Sequence, residues 1–163
     1  MGSNHGVPLF ASRARAFRTS FGHGFVDSKH IVQWADQQVE DLEDPPIALL
    51  DLSMSLHDLN LQISALNRLS TGFEPRLVHA LICRDARRAL LDGRTTVEAV
   101  TQAIYTHMAV EHWQFSDDLR MRVYDLDDYL EWQHTGAAHP SGMSPGELLL
   151  TLLDDIEREA VST

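Results

Sequence analysis

Apolar residues in this chain recur every three or four positions, and nowhere do they alternate with polar ones in the way a half-buried strand requires. That regularity admits helices and little else. Ile31, Ala35, Val39 and Leu42 form one stripe, and Leu56, Leu59, Ile63 and Leu66 a second. Val97, Val100, Ile104 and Met108 make a third, and Leu119, Val123, Leu126 and Leu130 a fourth. The spacing therefore predicts an all-α protein, a single-domain bundle of about six or seven helices spanning residues 1–163. Residues 1–24, rich in Gly, Ser and Arg, are expected to pack more loosely, with a short helix near Pro8 to Thr19 docked by its phenylalanines.

The punctuation agrees with the period. Asp27 or Ser28, Ser55 with Asp58, Thr95 or Thr96, and Ser116 each stand where a short oxygen-bearing side chain can accept from the open amides of a first helical turn. Ser144, Pro145 and Glu147 form the strongest such signature, a cap residue, a first-turn proline and a reciprocal glutamate. Pro45 and Pro46 stop one helix and start a short run over Ile47 to Ser53, and Pro75 opens the helix that Gly93 ends. Gly72 and Gly136 are read as further stops. The apolar arc of Leu77, Val78, Leu81, Ile82 and Ala89 makes the Pro75 helix central to the core, with Arg84, Arg87 and Arg88 outside. On the last helix Leu148, Leu149, Leu152, Leu153 and Ile156 are expected to bury, while Asp154, Asp155, Glu157 and Glu159 face water.

Charge narrows the range of partners. The formal net charge is −11, unevenly spread: residues 1–30 carry +3, 31–70 carry −6, 71–100 carry +1 and 101–163 carry −9. Long-range repulsion excludes nucleic acid as the favoured partner, and the single cluster Arg84, Arg87 and Arg88 is a poor footprint for a helix-turn-helix reader. A basic protein would be steered in instead. Arg13, Arg15 and Arg18 are expected to pair with the acidic remainder of the fold. No run of about 18 apolar residues suggests a membrane span. Gly6 stands where the myristoylation pattern wants Ser or Thr, and the N-terminus reads as mature. One cysteine, Cys83, lies in the apolar run LVHALIC and reads as a buried small hydrophobe, in keeping with a reducing cytoplasm.

Reaction chemistry finds little footing. Glu131 and His134 have the Glu-x-x-His spacing of di-iron bundles, but those sites need two copies plus two more glutamates, and no second copy exists. His107 and His112 are five apart, off the spacing that aligns two zinc ligands on one helical face. The neighbouring carboxylates Asp127 and Asp128 fall on an exposed helix face, without the unlike environments an acid/base pair needs. No cofactor or metal is therefore expected, and an enzyme of unrecognised type is the least favoured reading.

The stretch Ser116 to His134 stands apart. At about 100° per residue, Asp117, Met121, Tyr124, Asp125, Asp128, Glu131 and Trp132 gather on one side, opposite Leu119, Val123, Leu126 and Leu130. Interface cores favour Tyr, Trp and Met, and the acids would meet arginines and lysines of a basic partner. The alternative is that Tyr124 and Trp132 pack against a neighbouring helix and leave an ordinary acidic surface.

The run GFVDSKHIVQWADQQVEDLEDPPIALLDLSMS, Gly24 to Ser55, resembles the opening of small bacterial helical immunity proteins that accompany polymorphic toxins and contact-dependent inhibition effectors. Gly24, Phe25, Asp27, Trp34, Ala35, Pro46, Leu50 and Leu52 carry the resemblance over about a fifth of the chain. It implies a non-enzymatic role, neutralising a cognate toxin by binding. With the charge, the expected partner is a basic toxin, a nuclease being one kind; an adaptor or homodimeric interaction module is the alternative.

Overall fold

The computed structural model describes residues 6–162, with side chains from Leu9 onward; the MGSNH start, on which the myristoylation reading rests, lies outside them. Eight α-helices follow one another: α1 (Gly6–Gly22), α2 (Ser28–Asp41), α3 (Ile47–Ser53), α4 (Leu59–Leu69), α5 (Pro75–Leu91), α6 (Val97–Ile104), α7 (Asp117–Trp132) and α8 (Pro145–Val161). A π-helical segment, Tyr105–Glu111, continues α6, and a 3-10 turn, Gln133–Thr135, follows α7. No strand occurs among the described residues. The all-α expectation holds, with eight helices where about six or seven were expected; the short run over Ile47 to Ser53 is present as α3. Among the described residues no helix is long and apolar enough to cross a membrane.

The chain gathers into two compact units, Met1–Ile82 and Cys83–Thr163, with the division falling inside α5. In the first unit Ala14 and Phe17 of α1, Ile31 and Ala35 of α2, Leu49 and Leu52 of α3, and Leu66 and Leu69 of α4 build one core. Trp34 packs its ring against Phe10 and Phe17, with centroids 5.1 and 5.3 Å away. Asp27 caps α2 through the amide of His30, 2.9 Å away. Gly24 closes α1 at φ 73°, where the amide of Phe25 reaches back to the carbonyl of Ser20 at 2.8 Å. The α5 start adds a device of its own. Glu74 accepts from the amides of Arg76 and Leu77, and its own amide donates to Ser12 Oγ at 2.9 Å, which ties this start to α1.

Two expectations in this unit are corrected. The cap of α4 is Asp58, which accepts from the amide of Leu61 at 2.9 Å; Ser55 stands three positions before that cap, outside the helix, and its hydroxyl donates to the carbonyl of Leu52 at 2.6 Å. The helix then buries Gln62, Ala65, Leu66 and Leu69, while Leu56 and Leu59 stay exposed. Gln62 is tolerated inside because its carbonyl oxygen accepts from Ser28 Oγ at 3.0 Å and its amide faces Ser55 Oγ at 3.4 Å, so the buried polar group has partners. Two of the α1 arginines, Arg15 and Arg18, likewise find other company than expected. Arg13 lies over the Phe17 ring at 3.9 Å, Arg15 lies 5.4 Å from the Phe73 centroid, and Arg18 donates to Asn67. For Arg15 and Arg18, an aromatic ring and an amide thus stand where the charge pattern assigned carboxylates.

In the second unit Leu119, Val123 and Leu126 of α7 face Leu149, Leu152, Leu153 and Ile156 of α8, all buried. Ser144 and Glu147 form the full reciprocal capping box at the start of α8. Thr96 caps α6 through the amide of Ala99, and Gly93 at φ 69° ends α5 with the amide of Arg94 bonded to the carbonyl of Ala89 at 2.8 Å. Cys83 is wholly buried, its sulfur 4.0 Å from that of Met108. Burial, and after it the carboxylates of Glu157 and Asp85, push the thiol far above its ordinary range. It stays protonated and inert.

Two positions on α3, one residue between them, give a direct check of which side is core. Leu49 is fully buried and Ile47 is 74% exposed. Urea unfolding of Leu49→Ala is expected to show a loss of about 2–5 kcal/mol, and that of Ile47→Ala less than about 0.5 kcal/mol. Equal losses would mean the helix is turned the other way.

Candidate interaction face on the seventh helix

The face is defined first by what α8 removes from the surface. Its acids do not simply face water as the sequence suggested; arginines from α5 and α7 reach them. Arg84 and Arg87 both meet Glu157, at 3.2 and 3.3 Å, and Arg87 lies 3.9 Å from Asp154. Arg158 joins Asp154 and Asp155 at 2.6 and 2.8 Å, and Arg122 of α7 holds Asp155 at 2.8 Å. Hydrogen bonds from Arg158, and next its charge, hold Asp154 below the usual carboxylate range. Glu159 accepts from both the amide and the hydroxyl of Ser116, at 2.8 and 2.9 Å. Ser116 therefore does not cap α7 through its side chain; its hydroxyl is donating elsewhere.

On α7 itself the outcome is different. Among the described residues Asp118, Asp125, Asp127, Asp128 and Glu131 take part in no ion pair, whereas Asp117 is held by Arg120 at 2.7 Å one turn on. Burial, then the neighbouring charges of Glu131 and Asp128, raise the Asp127 carboxyl above its ordinary range. The cluster is under mutual repulsion that a cation would relieve.

The seven residues singled out by spacing divide. Met121 and Trp132 are 53% and 62% exposed, and Asp117, Asp125, Asp128 and Glu131 are exposed. Tyr124 is half-buried against the π-helical segment: its hydroxyl donates to the carbonyl of Ala109 at 3.3 Å, and its ring meets Tyr105 edge-on at 5.5 Å. A π turn leaves carbonyls poorly aligned with helical donors, and Tyr124 serves one of them. Its role is local to the fold. Trp113 and Phe115 close the same corner, with the indole N–H donating to the carbonyl of Ser116 at 2.9 Å.

One residue was missed. Asp118 is exposed three positions before Met121 and seven before Asp125, so the same helical spacing that selected those two places it beside them. The side left open by α8 and the π segment is therefore Asp118, Met121, Asp125, Asp128 and Trp132, with Glu131 at its margin. Glu131 and His134 do not share a helix, because α7 ends at Trp132 and His134 lies in the 3-10 turn. Among the described residues no group of three or more His, Cys, Asp or Glu is placed to hold a metal ion.

No family model, no curated protein and no solved structure matches this chain. The residues behind the immunity-protein resemblance mostly serve the first unit's architecture: Gly24 closes α1, Asp27 caps α2, Pro46 precedes α3, and Phe25, Ala35 and Leu52 are buried.

The raised Asp127 carboxyl sets a sign. The folded form binds this proton more tightly than the unfolded chain, so Asp127 weakens the fold as pH rises through the folded pKa, and the penalty is absent at pH values below the unfolded carboxylate's. Asp127→Asn is expected to raise the melting temperature at pH 7 and to leave it unchanged near pH 3. A variant less stable at pH 7 would mean that Asp127 makes a favourable contact instead.

Proposed function

We propose that this protein is a non-enzymatic binding protein of the immunity or inhibitor class, which neutralises a cognate basic toxin protein through the open side of α7. The observation that carries the reading is the pairing of exposed Trp132 and Met121 with Asp118, Asp125 and Asp128, carboxylates that no arginine of the chain neutralises. The two large side chains offer apolar area that becomes favourable when water is expelled. The acids around them offer long-range attraction and complementary hydrogen-bond acceptors to lysines and arginines. A basic nuclease suits such a face, because carboxylates can occupy the groove that otherwise holds phosphates. Self-association through the same side is disfavoured, since it would bring like charges together in both copies. A heterologous partner therefore fits better than the homodimeric module.

The test starts at the gene. A toxin-like reading frame beside it, whose inactivated product co-purifies with this protein from a joint expression strain, is the expected finding. With that product immobilised, Trp132→Ala together with Met121→Ala is expected to weaken binding at least about 30-fold, mostly through faster dissociation. Asp125→Asn with Asp128→Asn is expected to slow association and flatten its salt dependence. Tyr124→Phe, which removes only the local hydroxyl contact, should bind as the parent does. Unchanged affinity in the first two variants would show that the face is wrong, and a gene whose neighbours give no binding product would sink the immunity reading.

A further inference from the structure

The first unit carries a second surface that neither the core nor the α7 reading uses. Along α3, Leu49 and Leu52 point into the core, which leaves Ile47 and Leu50 on the outward side at 74 and 38% exposure, followed by the C-cap residue Met54 at 71%. Two large apolar side chains three apart on the seven-residue α3, with that of its C-cap Met54 just beyond the helix at position i+7, make one stripe about 10 Å long. Leu56 and Leu59, which the apolar spacing assigned to the core, follow within five residues of Met54 and are also exposed. Scattered exposed leucines need no explanation, but a helical stripe with apolar extensions does.

The charge beside the stripe selects what covers it. Residues 31–70 hold seven carboxylates and one base, Arg68, and that base is taken by Asp51 at 2.5 Å. Asp36 accepts from Ser53 and Asp58 caps α4. Glu40, Asp41, Glu43 and Asp44 remain exposed, with no ion pair among the described residues, in the segment that leads directly into α3. A second copy of this chain would set these four acids against themselves, and an anionic lipid surface would repel them. We propose that the outward side of α3 docks an amphipathic helical segment of another protein, with its apolar seam on Ile47, Leu50 and Met54 and lysines or arginines on Glu40, Asp41, Glu43 and Asp44. The i, i+3, i+7 spacing is the one a partner helix reads with two to three of its own turns. The proline pair Pro45–Pro46 fixes the approach of the acidic segment, since each proline holds its own φ and restricts the residue before it. The proposal stands on the first unit alone and is independent of the α7 reading.

The test uses the full chain, labelled with nitrogen-15, and three synthetic 18-residue peptides. One places leucines at helical spacing with lysines on the other side, one scrambles the same residues, and one has glutamates in place of the lysines. The first peptide is expected to shift amides within residues 40–59 and to bind at least about tenfold more tightly than the other two. Ile47→Ser with Met54→Ser is expected to weaken it about tenfold or more; both positions are exposed, and an unchanged melting curve checks that the fold is intact. Glu43→Gln with Asp44→Asn should weaken it at low salt and reduce its salt dependence. Trp132→Ala with Met121→Ala should leave it unchanged, which separates this surface from the one on α7. The proposal is overturned if the scrambled peptide binds equally, if the shifts fall on α7, or if the α3 variants bind as the parent does. It is equally overturned if the parent sediments as a dimer that Ile47→Ser with Met54→Ser dissociates, or if those changes abolish binding to anionic vesicles.

Discussion

Arg87 stands between Glu157 and Asp154, and the surface character of the second unit follows from that position. With thirteen basic side chains against twenty-four acidic ones, the chain cannot neutralise every carboxylate, so the placing of each arginine decides which acids remain. Four arginines, from α5, α7 and α8, are spent on the acids of α8. Pairs of this kind at the surface add little stability one by one. Their larger effect is on what they leave behind, a helix α7 most of whose outer acids, Asp117 apart, take part in no ion pair among the described residues.

The same allocation operates in the first unit through different chemistry. The α1 arginines rest on Phe17 and Phe73 and on Asn67, and Arg68 is committed to Asp51. Glu40, Asp41, Glu43 and Asp44 are left uncompensated, next to a helix too short to bury both of its sides. Each unit thus presents exposed apolar side chains beside unmatched carboxylates, and the two sets are chemically alike though built on unrelated helices. The net charge gives only the total excess of acid; the positions of the arginines say where on the molecule that excess is concentrated.

Local signals were legible in the sequence because they are local. Ser144 and the glycine at 93 act within a few residues of themselves, and spacing alone gave their roles and narrowed two other caps to Asp27 or Ser28 and Thr95 or Thr96. What depended on distant partners was not legible. Gln62 is inside because Ser28, 34 residues away, supplies a hydroxyl, and this turns α4 so that Leu59 faces out. Tyr124 is covered because the segment continuing α6 is wound as a π turn, which no periodicity in YTHMAVE announces. Glu157 is half-hidden because Arg84 sits 73 positions earlier in the chain. Of the face on α7, Met121, Asp125, Asp128 and Trp132 were readable from helical geometry, and Asp118, at the same helical spacing, was equally within reach of it.

The burial of Cys83 has a practical side. With its only thiol enclosed and held protonated, the wild-type chain behaves toward ordinary alkylating reagents as though it had no cysteine. A cysteine introduced at an exposed position would therefore be the sole point of attachment for a dye or spin label, with no background substitution to make first. The two surfaces could then be tagged one at a time in the natural sequence context, and the arrival of any partner followed at each surface separately.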